Sequence, residues 1–243
     1  LMRIGAPSGV QFFLDILAIT GFSLLIGRMG MVELSATNIA FSINSLTYLP
    51  IVGMSIAASI LVGRSQGQGR PDLARRATGN AVFLAMCWMV AMGLIFVLAP
   101  GPLLDLFRSA SQDTGAAAAA AATAAGEPPF AAIREMGVVL LRYVALYTLV
   151  DAVTIIYFGA LKGAGDTRFV MLTMLAASLG VLVLPTWYLV HNSIGGIHGP
   201  WLCLSGYVCF LALCFGLRFR HGAWTKRRVI EAAPPREAGG ACP

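Results

Sequence analysis

Charge is what this chain has least of. Only 12% of its 243 residues are Asp, Glu, Lys or Arg, against about 25% in an ordinary soluble domain. A soluble fold of this length needs polar outer faces on its helices, and that scarcity excludes one. Hydrophobic residues make up 58% and mean hydropathy is +0.78, in apolar runs that are repeatedly about 20 residues or longer, the length that crosses a bilayer.

Other absences narrow the chemistry. None of the five cysteines forms a CxxC pair: Cys87, Cys203, Cys209 and Cys214 lie in apolar runs and Cys242 in the polar tail, so neither a zinc site nor a disulfide framework is indicated. There is no DxxD or DxxxD pair. That argues against an intramembrane prenyl-type transferase, which needs paired aspartates to hold a magnesium diphosphate. Two glycine-rich segments, GRSQGQGR at 63–70 and GALKGAGDTR at 159–168, follow no strand and open no βαβ unit, so they lack the scaffold of a phosphate cradle. They read as tight turns. The formal net charge of +6 does not point to nucleic acid, because Lys and Arg are confined to short segments between apolar runs and to the tail. The first apolar run is too long for a cleavable signal peptide and lacks a small-residue cleavage site. The chain begins with Leu, which leads us to expect the continuation of a longer protein.

What is present is a series of six spans: Ala6 to Ile26, Ala36 to Val62, Thr78 to Leu98, Val138 to Leu161, Phe169 to Val190 and Gly199 to Leu217. The fold expected is an all-α integral membrane protein, with a six-span lobe over 1–230 and a disordered polar tail over 231–243. Arg3, the Arg64–Arg76 segment, Lys162 with Arg168, and the basic stretch after Leu217 fall on one side. The positive-inside rule makes that side cytoplasmic and puts both termini there. The loop at 101–133 is dominated by Ala and bounded by Gly115, Gly126 and Pro128-Pro129, and it reads as an extracytoplasmic linker. Pro7, Pro50 and Pro185 lie inside apolar runs, where each removes a backbone donor.

Asp151 stands in the middle of the fourth span, nine residues after Arg142 and eleven before Lys162. On a helix that is roughly 13 to 16 Å from either flanking charge. A carboxylate at that depth is costly and marks a site that binds something. Tyr143, Tyr147, Asp151 and Thr154 recur at i+3 or i+4 and share a face. Acid, hydroxyls and rings together suit a cation. A second acid, Asp15, lies in the first span with Gln11 one turn before it, and the second span carries a broad polar face that includes Asn44 and Tyr48. Asp151, Asp15 and Tyr147 are therefore the expected cation-binding or coupling residues. Tyr143, Thr154, Gln11 and Asn44 are the expected cavity lining, with no catalytic residue, resident metal or cofactor.

Three stretches in register resemble the multidrug and toxic compound extrusion (MATE) transporters, specifically the second six-helix half of the NorM-like branch. RIGAPSGVQFFLDI resembles the G-x-P start of that half and its embedded acid, which falls on Asp15 where the family has glutamate. LSATNIAFSINSLTYLPIVGMSIAASILVGRSQGQG resembles the next helix and its Gly-rich exit, and ALYTLVDAVTIIYFGALKGAGDTRF resembles the tenth helix of full-length members. In the last, Tyr147 and Asp151 match a tyrosine and aspartate of a cation site. The resemblance implies one lobe of a twelve-helix H+- or Na+-driven antiporter that exports amphipathic or cationic drugs by alternating access from a bacterial inner membrane. Its partners would be membrane lipid, small-molecule drugs and a second six-helix lobe, in the same longer chain or as a homodimer. The long Ala-rich insert departs from the family's usually short loops. Within transport, the rival is a flippase for lipid-linked precursors, for which mid-span Lys and Arg are missing. A truncated, non-transporting scaffold is the other alternative.

Overall fold

A computed structural model describes residues 2–104, 130–222 and Trp224. The Ala-rich segment and the tail at 231–243 lie outside these residues, although helix occupies 101–104 and 130–133 at the margins of the expected loop. Among the described residues every regular element is helical: α1 (Met2–Gly27), α2 (Met31–Gly67), α3 (Pro71–Leu98), α4 (Phe130–Gly163), α5 (Thr167–Ala177), a π-helical segment (Ser178–Val183), α6 (Leu184–His191) and α7 (His198–Arg220). Six stretches are long and apolar enough to cross a membrane, the fifth running through α5, the π segment and α6.

The helices outrun the apolar stretches that announce them. α2 has 37 residues, about 55 Å at 1.5 Å per residue, so both ends pass beyond a hydrocarbon core of about 30 Å. Its C-terminal end, Gly63–Gly67, is polar and glycine-rich and carries no apolar signal, and its first turns include Glu33 and Ser35, yet the backbone stays helical through both ends.

The two glycine-rich segments close helices in the same way. Gly69 has φ +69, its N–H bonds to the Gln66 carbonyl, and the Arg70 N–H reaches back to Ser65; Pro71 then opens α3. Gly165 has φ +79, its N–H bonds to Lys162, and the Asp166 N–H reaches back to Leu161. This left-handed closure needs glycine and satisfies carbonyls that a helix end leaves open. Both segments are helix stops, in keeping with the tight turns expected of them.

α4 is the central helix. It packs against α2 and α3 on one flank and α7 on the other, while α1 packs against α5 and the π segment. Between α2 and α4 the backbones nearly touch. Ser55 and Ser59 of α2 oppose Gly159 and Gly163 of α4, and the Ser55 hydroxyl donates to the Ile155 carbonyl at 2.7 Å. Small residues let membrane helices approach this closely. Pro50 lies inside α2 without ending it, and the Trp88 indole of α3 donates to the Thr47 carbonyl at 3.2 Å, one turn before the proline.

The basic turns gather at one end of the bundle. Gln66 donates to the Trp224 carbonyl at 3.0 Å, and Arg218 of α7 pairs with the fully buried Asp166 at 2.9 Å and lies over the Phe169 ring. The turn after α2, the turn after α4 and the exit of α7 therefore meet at one face. α2, α4 and α7 all run toward it, in parallel.

Candidate cation site

Four of the six spans contribute to one polar cluster in an apolar surround. Asp15 comes from α1 and Asp151 from α4, both half-buried. Their carboxylates lie within electrostatic range of one another. The phenol of Tyr48 from α2 senses both acids, as does that of Tyr207 from α7, and Tyr147 on α4 senses Asp151. Neither carboxylate has an ion pair or side-chain hydrogen bond among the described residues. Both therefore keep oxygens open to a ligand, and three phenols stand ready as further oxygen donors. Two carboxylates close together repel when both are charged, and a cation between them removes that repulsion.

One layer outward, toward the end opposite the arginine-rich face, the site is roofed by aromatic rings around the fully buried Trp201 of α7. Its ring centroid is 6.5 Å from those of Tyr143 and Tyr147, 6.4 Å from Phe22 and 5.7 Å from Phe41. Rings at such offsets pack a shaped, water-poor wall.

The residues expected from sequence do not all reach the acids in the same way. Tyr147 and Gln11 are both buried on the helix faces that carry Asp151 and Asp15. Tyr143 lies a turn outward, with its hydroxyl 3.0 Å from His198 Nδ1. Thr154 is on the expected face, but its hydroxyl donates to the Val150 carbonyl at 3.1 Å, with the Val208 carbonyl of α7 at 3.4 Å, so it tethers helices. Asn44 is half-buried and its Oδ1 has no hydrogen-bond partner.

Tyr48 and Tyr207 were not among the expected site residues. Tyr48 had a signal, four residues after Asn44 on the polar face of the second span. Tyr207, a single phenol in an otherwise apolar stretch, had none beyond that isolation.

Comparison with known proteins follows the same outline. The family profile described as MatE matches residues 7–189. The chain is 28% identical over 221 residues to the "Probable multidrug resistance protein NorM" of Brucella suis biovar 1, covering 90% of this chain and 44% of that protein. It is 28% identical over 238 residues to the "Multidrug resistance protein NorM" of Burkholderia vietnamiensis, covering 96% and 46%. A solved structure titled "Outward-facing conformation of a multidrug resistance MATE family transporter of the MOP superfamily" superposes with TM-score 0.76 at 18% identity, covering 93% of this chain and 47% of that one. Another, "Crystal structure of MATE in the bent conformation", superposes with TM-score 0.76 at 17% identity, covering 90% and 44%. The chain thus spans about half the length of the relatives it matches, and the structural likeness is one of fold.

Proposed function

The chain belongs to the MatE family, and from that premise we propose that its six spans form one lobe of a secondary antiporter that exports amphipathic or cationic compounds in exchange for H+ or Na+. The observation that carries the reading is that Asp15 and Asp151, from different helices, lie within electrostatic range of each other and of the phenols of Tyr48 and Tyr207, with Tyr147 beside Asp151. The relatives whose names speak of multidrug resistance supply the direction of transport. The second lobe lies in the same longer chain or in a second copy, and the basic end faces the cytoplasm of a bacterial inner membrane by the positive-inside rule.

In this mechanism the two acids take the coupling cation from outside, which relieves their mutual repulsion and favours the arrangement that releases drug. Loss of the cation to the cytoplasm restores the repulsion and the drug-accepting arrangement. A coupling ion acts only through unequal affinity for the two states, and helices that each contribute one ligand provide that inequality when they move apart. No Lys or Arg pairs with either acid among the described residues, which favours a cationic over an anionic-headgroup substrate.

The test is efflux of a cationic dye from cells lacking other pumps, with Asp151→Asn expressed at the wild-type level. Loss of ion-gradient-dependent efflux is expected. Wild-type efflux by that variant would reject the reading.

A further inference from the structure

Three buried polar atoms around the aromatic roof have no partner: Trp201 Nε1, Asn44 Oδ1 and Thr37 Oγ1. Trp201 and Thr37 are fully buried. Thr37, Phe41, Asn44 and Tyr48 recur at i+4, i+3 and i+4 along α2, so they share one face. Phe41 on that face rests against the Trp201 ring, and Tyr48 lies within electrostatic range of both acids. Asn44 is thus one turn inward of the Phe41–Trp201 contact and one turn outward of the acid pair.

The unpartnered atoms are complementary, since an indole N–H only donates and a side-chain carbonyl oxygen accepts. Buried polar groups left without protein partners are characteristically served by ordered water. At the outer end of the same column stands His198, exposed and bonded to the Tyr143 hydroxyl at 3.0 Å. Both Tyr143 and Tyr147, one turn apart on α4, pack against Trp201.

We infer that Trp201 Nε1 and Asn44 Oδ1 hold a buried water, and that this water is the middle step of a hydrated access path for the coupling cation from the His198–Tyr143 pair to Asp151 and Asp15. The path rests on the reading of the acids as the cation site; the water does not. In it, Trp201 is a positioning residue that presents a donor while its ring seals the sides. The Tyr143–His198 hydrogen bond closes the outer mouth.

The fold provides its own control. Trp224 is also fully buried, but its indole N–H already donates to the Phe219 carbonyl at 2.8 Å. Hydroxyl-radical labelling by millisecond X-ray exposure, read by mass spectrometry on the detergent-purified chain, oxidises buried rings only where water lies against them. Trp201 is expected to label several-fold faster than Trp224, and Asn44→Leu should bring it down to the Trp224 rate. Equal labelling of the two tryptophans in the unaltered chain overturns the water site. After rapid mixing into isotopically labelled water, Tyr143→Phe should speed appearance of the isotope on Trp201, and an unchanged rate overturns the access path. Neither measurement depends on transport, so loss of the acid-site reading through an active Asp151→Asn variant would be recognised separately.

Discussion

Replacing Asp15 or Asp151 by asparagine removes one of two charges that both act on the phenols of Tyr48 and Tyr207. Each substitution is expected to weaken Na+ or H+ binding by at least about tenfold, on the order of 1.4 kcal/mol. The double variant should fall well short of the product of the two losses, because each acid works through the other. Equilibrium binding of labelled Na+, and proton release on Na+ addition, check both statements. Tyr207→Phe removes one oxygen donor and leaves the ring, so a loss of roughly 1 kcal/mol in cation binding is expected with an unaltered melting temperature. Asp151, Asp15 and Tyr147 were legible in the sequence as candidates because a carboxylate in a long apolar run is costly and helical spacing places its neighbours. Tyr48 and Tyr207 were not, since periodicity says which residues share a helix face but not which other helix that face meets. Thr154 illustrates the same limit: the face was right, and the hydroxyl is occupied by backbone.

At the scale of elements, the α2–α4 seam carries the heaviest constraint. A Cβ added at Gly163 would come within 2.8 Å of the Ser59 backbone, and one at Gly159 would collide with Ser55. Gly159→Val or Gly163→Val must push the two helices apart and is expected to cost at least about 2 kcal/mol, seen as a lowered melting temperature in detergent. Gly53→Ala, on the same α2 where an added Cβ meets nothing within 4 Å, should leave the melt unchanged. The Asp166–Arg218 pair ties the turn after α4 to the end of α7. Arg218→Ala takes the guanidinium away from a buried carboxylate and is expected to cost about 3 kcal/mol, part of which Asp166→Asn should restore in the double variant. The six spans themselves were readable from apolar length. Their true ends were not, because Ser35 and the Arg64–Gly67 stretch are held helical by the rest of the helix and by tertiary packing rather than by any apolar pattern.

At the scale of the whole molecule, both acids and all three phenols belong to this one lobe. Under the proposed function, cation binding is therefore expected of the chain by itself, whereas drug movement is expected to need a second lobe. Expressed alone, the chain should bind Na+ or H+ and show little dye efflux; co-expression with a six-helix partner lobe should restore efflux. Absence of cation binding in the isolated chain would place the site across the lobes instead. The π-helical segment of the fifth span has a consequence of another kind. The Leu184 N–H bonds to the Leu179 carbonyl, five residues back, and a π turn of this sort is an α-helix that has absorbed one extra residue. Deleting Gly180, where an added Cβ meets nothing within 4 Å, would return the span to plain α-helix and keep Thr186 and Trp187 in phase with α5. Deleting Val90 from the unbroken α3 would instead turn everything after it by about 100°. The fifth span therefore holds a spare residue, and its length is free to drift by one where that of α3 is not.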